Sequence, residues 1–379
     1  MLLSFRFTSC IFLFLLIIYG FDARAQQAAT PGFGIESNLF AGKVVKHTKN
    51  FTLPIPSLTT AAEVNFIWKT YGKKEWQARR GFPVIGIGLA YTDYGNNTIY
   101  GQSIGIYPNL EWTLIRSGRL EWSARIGMGL GYISKHYSRQ APDWDSLNVA
   151  IGSHINNYTL FTSDLRYSVN RHWSLQAGIN FSHMSDALYR KPNLGINFGG
   201  VHIGVRYFPN TSTPALIPAT GKPFPDRWLI QARQGFAMNT TGSIGSAVSP
   251  VYLSSLYLSR RYKGHNKIFA GVDYSYHEGI YAFLRNYQIY PGHEAQHAWK
   301  SALFAGHEFI YGRCGLLLQV GVYTHQAYLK LSPVYEKIGL NWYLLQQEHG
   351  LFKEIWIGTY LKTHYTSAEL AELGLGIGI

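Results

Sequence analysis

Apolar and polar residues alternate with a period of two along most of this chain. The clearest stretch runs from Leu120 to Tyr132, where Leu120, Trp122, Ala124, Ile126, Met128, Leu130 and Tyr132 occupy the even positions. Between them stand Glu121, Ser123, Arg125, Gly127, Gly129 and Gly131. Neighbouring side chains of a strand point to opposite faces, so one face is apolar with aromatic ends and the other polar and glycine-rich. Alternation over 13 residues exceeds the ~5–6 of an average strand and suits a bilayer-crossing strand of about 9–11 residues with some overhang. The next segment repeats the scheme, with Phe161, Leu165, Tyr167 and Val169 on one side and Thr162, Asp164, Arg166 and Ser168 on the other. Glu121, Arg125, Asp164 and Arg166 are thereby expected inside a barrel, as a solvated salt-bridge network.

Connection lengths alternate too. Residues 115–119 and 169–173 form tight turns, whereas 134–157 is a long polar loop. Short turns on one side and long loops on the other are the pattern of outer-membrane barrels. About eight strands fit before Phe208, and about eight more between Trp228 and the C-terminus. The expected organisation is a first half at 26–208, a proline-rich linker at 209–225 and a second half at 226–379. The halves read as a diverged duplication. Arg125–Ile133 echoes Gln319–Leu329, Trp173–Ala187 echoes Ile355–Ala368, and Asn193–Val205 echoes Glu372–Ile379. The fold class is all-β, an antiparallel transmembrane β-barrel. One barrel of about 14–16 strands is the closure we expect. The long linker leaves two tandem eight-stranded barrels as the alternative.

Composition narrows the class. Of 379 residues, 46% are hydrophobic and only 15% charged, against about a quarter charged in a typical soluble domain. That apolar content excludes a disordered chain. Two cysteines exclude a disulfide scaffold, and a helical membrane bundle needs several apolar runs of about 18 residues that do not occur here. The first 25 residues read as a cleaved secretory signal, with Arg6 before the apolar core Cys10–Tyr19 and Ala23-Arg24-Ala25 as the cleavage site. Its removal leaves Cys314 as the one cysteine and a formal charge of +12, from 32 basic and 20 acidic residues. Export disfavours a nucleic-acid partner despite that charge.

Chemistry concentrates in Trp173–Ala187. Trp173, Leu175, Ala177, Ile179, Phe181, His183 and Ser185 share the odd, lipid-facing side. If the N-terminus is periplasmic, this seventh strand runs outward, and His183 and Ser185 sit near the outer leaflet. Side chains two apart on a strand point the same way, so a Ser–His hydrogen bond is possible. The following strand brings Asn197, Val201, Ile203, Val205 and Tyr207 to the same face, with Asn197 near its top. A Ser/His/Asn cluster facing lipid is costly in a purely structural strand. An enzyme acting on lipid at the interface requires one.

The stretch His183–Asn197, HMSDALYRKPNLGIN, resembles the signature of the PagL-type lipid A 3-O-deacylases. The matching positions are His183, Ser185, Ala187, Pro192, Asn193, Gly195 and Ile196, with spacing kept throughout. The resemblance is strong over about 30 residues and holds at the level of the barrel for the first half of the chain. It implies an outer-membrane barrel that hydrolyses an acyl ester of lipopolysaccharide, with His183 and Ser185 catalytic and no cofactor. Asn193 and the backbone near Ala187 are then candidate oxyanion donors. Two positions depart from the family pattern. Asn197 stands where the family carries a catalytic Glu, and Asp186 where it usually has Asn. Asparagine can fix the histidine tautomer but supplies no charge. Asp186, on the opposite face, is a poor substitute. The basic residues Arg190 and Lys191 lie beside the site, where they suit a phosphorylated substrate or serve as solvated loop charges.

Two further histidine motifs are weaker. His364 and Thr366 align with His183 and Ser185, but Ile355, Ile357, Leu361 and Tyr365 mark the odd face as apolar. His364 is therefore expected inward, as a degenerate copy. His293-Glu294-Ala295-Gln296-His297 matches the H-E-x-x-H of zinc proteases, which works only on a helix. Pro291-Gly292 and strand-like flanks oppose one, so no metal site is expected. The rival to the esterase is a non-enzymatic barrel, a porin or structural protein with a decayed site.

Overall fold

The computed structural model describes residues 31–46, 48, 50–139, 144–212, 214–221, 224–365 and 367–379. The expected signal segment and Thr366 lie outside the described residues. Sixteen strands form two closed antiparallel barrels of eight. The first comprises β1 (Phe33–Val44), β2 (Thr59–Trp68), β3 (Val84–Asp93), β4 (Gln102–Ser117), β5 (Leu120–Ile133), β6 (Ile155–Ser168), β7 (Trp173–Ser185) and β8 (Ile196–Tyr207). The second comprises β9 (Arg227–Thr240), β10 (Val248–Tyr262), β11 (Asn266–His277), β12 (Trp299–Tyr311), β13 (Cys314–His325), β14 (Val334–Gln346), β15 (Glu354–His364) and β16 (Ser367–Gly378).

The expected single large barrel does not form. β8 returns to pair with β1, from Ile35↔Tyr207 to Val44↔Phe198. β16 pairs with β9, from Glu372↔Ala237 to Gly378↔Gln231. Each sheet thus satisfies its own edges, and the prolines of the connection between β8 and β9 interrupt any ladder there by removing N–H donors. The three sequence echoes fall on the fifth, seventh and eighth strands of both barrels.

An eight-stranded barrel is just wide enough for its interior to be filled by side chains. In the first barrel the half nearer the chain's start is ionic. Arg125 reaches Glu63 at 2.8 Å and Glu36 at 3.3 Å, and Arg166 reaches Glu111 at 3.2 Å and Glu121 at 2.5 Å. Arg206 joins Glu36 to Glu111, and His202 Nε2 lies 2.6 Å from Asp164. Most of these groups are buried, so the network is packed into the core where solvated charges were expected. Desolvation requires this mutual pairing.

The other half is aromatic. Tyr107 and Tyr158 stack at 5.2 Å, among Phe51, Tyr100, Ile133, Met184 and Ile196. The glycines of β5 now have a reason. A Cβ at Gly127 would lie 2.5 Å from the Tyr107 ring, and one at Gly131 would lie 2.5 Å from Met184 Cε. The second barrel is likewise plugged, with Lys267 on Glu354 at 2.6 Å, Lys337 on Glu372 at 2.9 Å, and buried Trp356, Tyr343 and Tyr335.

Outward positions form an apolar belt around each barrel, with Leu130, Ile179, Val201 and Ile203 exposed on the first and Leu256, Leu303, Val320 and Leu373 on the second. The barrels are joined at both ends. At the linker end, Arg80 donates to His265 O at 2.6 Å, Asn266 Oδ1 at 3.1 Å and Ile310 O at 3.3 Å. Trp76, on the short helix Glu75–Arg79, packs edge-on against Tyr311.

Two outcomes follow from the filled interior. Glu111→Ala, which removes one of the carboxylate partners of the buried Arg166 and Arg206, should cost about 3 kcal/mol in denaturant unfolding of the micelle-bound protein. Purified protein in a planar bilayer should show no discrete channel conductance.

Candidate active site

The site is built by the β7–β8 hairpin. The ladder sets His183 directly opposite Asn197, and Ser185 lies two residues further along the same outward face. His183 Nδ1 is 2.6 Å from Asn197 Oδ1, and its Nε2 is 3.0 Å from Ser185 Oγ. An amide oxygen can only accept, so with this orientation Nδ1 carries the proton and the Nε2 lone pair faces the serine. Ser185 and Asn197 are buried and His183 half-buried. Below them on the same face are the exposed Phe181, Ile179 and Val201. The three residues singled out in the sequence are therefore one hydrogen-bonded chain above an apolar wall.

The connection between β7 and β8 turns at once. Ala187 and Leu188 both adopt left-handed backbone, at φ 54° and 65°. Such conformations in non-glycine residues are uncommon and collect at functional sites. The Asp186 N–H donates to Asn193 Oδ1 at 3.2 Å. With its oxygen so engaged, Asn193 offers its Nδ2 end as a donor. Gly195, at φ 77°, packs its α-carbon against the imidazole: a Cβ there would lie 2.7 Å from His183 Cε1. Only glycine meets both demands.

Asp186 does not reach His183. Its Oδ2 accepts from Ser153 Oγ and from the Arg190 N–H, both at 3.2 Å. Burial pushes its carboxyl up to about 7, because desolvation disfavours the charged form. The long β5–β6 connection supplies Ser153 and a second brace, Ala150 O, which accepts the Gly195 N–H at 2.9 Å.

Sequence reasoning missed the second barrel's part in the site. Thr240, at the end of β9, donates through its N–H to Leu188 O at 3.2 Å and through Oγ1 to Tyr189 O at 3.0 Å. Lys191 Nζ donates to Gly242 O at 2.5 Å. Lys191 is therefore a tether more than a solvated charge, and partial burial lowers its ammonium pKa. Arg190 is exposed. No single-residue pattern signals such contacts, because they depend on how two closed barrels pack.

The other histidine motifs resolve differently. His364 is buried, with Nε2 3.0 Å from Glu369 and Nδ1 3.0 Å from Val334 O. His293 caps a 3₁₀ turn, Glu294–His297. At three residues per turn, positions four apart diverge by about 120°, and the His297 ring stacks on Tyr290. Among the described residues no group of three His, Cys, Asp or Glu could hold a metal ion.

The lipid A 3-O-deacylase (PagL) family model matches residues 60–206, and the acyloxyacyl hydrolase C-terminal domain model matches residues 231–379. No curated protein matches the chain. Similar solved structures include Neisserial surface protein A, at 11% identity and TM-score 0.33, over 46% of this chain and 96% of that one. They also include the outer membrane enzyme PagL, at 16% identity and TM-score 0.31, over 45% of this chain and 97% of that one. A Rhodopseudomonas blastica porin aligns at 9% identity and TM-score 0.18, over 92% of this chain and 99% of that one. With one model of the family on each barrel, the chain belongs to the PagL lipid A 3-O-deacylases.

Proposed function

We propose that the protein is an outer-membrane esterase that removes an ester-linked acyl chain from lipid A of lipopolysaccharide. The observation that carries this reading is the Asn197–His183–Ser185 chain, at 2.6 and 3.0 Å, on the outward face where the apolar belt ends. A glycolipid ester lies at that depth, with its acyl tail in hydrocarbon and its sugar at the rim. Family membership supports the substrate class, and the belt supports insertion in the outer membrane.

In the mechanism, Ser185 Oγ attacks the ester carbonyl while His183 Nε2 takes its proton. The carbonyl oxygen becomes an oxyanion, for which Asn193 Nδ2 and the Ala187 N–H are the available donors. His183 returns the proton to the departing sugar oxygen, and water then releases the fatty acid from Ser185 by the same sequence in reverse. Asn197 holds the tautomer without a charge to stabilise the imidazolium.

Mass spectra of lipid A from a producing host should lose one acyl chain on expression of this protein and stay unchanged with Ser185→Ala or His183→Ala. Unchanged spectra with the parent protein would refute the reading. Asn197→Glu should raise the rate of acyl release, with about 10⁴-fold as the ceiling set by charge removal in a protease triad.

Asp186 adds a pH dependence. Its folded carboxyl, at about 7, stands above the ordinary 3.8. The loop's stability is therefore complete below about 4 and falls as pH rises through 7, where a buried charge forms. Asp186→Asn keeps acceptors for Ser153 and the Arg190 N–H but cannot ionise. It should flatten the loss of activity above pH 7, read from a pH–rate profile.

A further inference from the structure

The outer rim contains a cleft of about 430 Å³ between the two barrels. One wall carries Arg139, Arg190 and Lys191 from the first barrel, and the other carries Thr240, Gly245 and Ser246 from the second. Among the described lining residues none is acidic. Among the described residues no carboxylate forms a salt bridge with any of the three cations, although the Arg190 charge is felt at the Asp186 carboxyl. Arg190 lies over the Tyr189 ring at 5.9 Å and Arg139 over Tyr137 at 5.7 Å. Both guanidinium groups thus rest on aromatic faces, and among the described residues neither fork is held by a salt bridge.

The cleft is coupled to the catalytic serine by a short path. Arg190 follows Ser185 by five residues, and its N–H is held by Asp186, the serine's neighbour. Lys191 reaches across to Gly242 O, so its ammonium ties the two walls together. Two guanidinium groups with the Ser246 hydroxyl on the opposite wall are suited to a phosphate monoester.

Resting on the deacylase reading, we propose that this inter-barrel cleft binds the phosphate on the sugar of the glycolipid being hydrolysed. The second barrel supplies the far wall. It also fixes the loop that follows Ser185 through Thr240.

The test uses the full-length Ser185→Ala protein in detergent micelles, so binding is read without turnover. Titration with phosphorylated lipid A is compared with titration by enzymatically dephosphorylated lipid A. Arg139→Gln/Arg190→Gln should weaken binding of the phosphorylated lipid about tenfold or more and leave the dephosphorylated lipid unchanged. Ser246→Glu, which places a carboxylate on the far wall, should do the same, whereas Arg139→Lys/Arg190→Lys should retain most of the affinity and show that the fold tolerates change there. Equal binding of both lipids by all variants, or equal loss of both, would overturn the proposal. So would inorganic phosphate binding as tightly as the lipid, which would mark a free-anion site. If the parent protein leaves lipid A intact while the Ser185→Ala protein shows this pattern, the deacylase reading fails and the cleft stands.

Discussion

A sheet of eight strands closed on itself leaves no lumen, and that constraint governs the rest of this molecule. Every inward side chain must find partners inside the wall. The first barrel meets the demand with interlocked Arg and Glu groups in one half and stacked tyrosines in the other. The interior is occupied by these side chains. Chemistry is forced to the outer surface and the rim, and the ester-cleaving chain we propose stands at the junction of the two. The buried ion pairs are not there to add stability over an apolar core, which could match them. They hold charge inward so that the opposite face of each strand can be wholly apolar.

On that scaffold, precision comes from ladder register and loop bracing. Pairing of His183 with Asn197 is a property of the β7–β8 ladder, so the 2.6 Å contact needs no loop to make it. Ser185 is the last residue of its strand, and the chain beyond it could fray. Three elements prevent that: Gly195 lies flat against the imidazole, Ala150 holds the Gly195 N–H, and Thr240 of the neighbouring barrel ties down Leu188. A left-handed pair at Ala187 and Leu188 costs conformational energy, and these ties offset it.

Much of this was legible in the sequence because a strand's period of two is rigid. The faces of Leu120–Tyr132, the outward placement of His183 and Ser185, and the inward turn of His364 all follow from parity. Closure did not. Whether β8 pairs with β1 or with β9 depends on long-range edges, and alternation is identical in both. The packing of the interior was also hidden, because Arg125 and Asp164 look the same in a water-filled pore as in a packed core. The glycines of β5 signalled strand but not the rings they admit. Contacts from Thr240 and Gly242 to the β7–β8 loop lie some 50 residues away in sequence, with no periodic trace.

The second barrel shows how little separates a site from a core. Its seventh strand carries the echo of β7, but His364 lies nine positions after Ile355, whereas His183 lies ten after Trp173. A shift of one residue moves a side chain to the opposite face. The imidazole that would have met lipid points inward instead, where Glu369 receives it beside Lys300 and Lys362. Once buried there its Nε2 contacts Glu369 at 3.0 Å, and restoring it to the surface would remove that partner and leave a void in the interior. The offset is thus locked in by packing. The second barrel can still serve the first from outside, through the hairpin that reaches the β7–β8 loop, while His364 of its own wall faces inward.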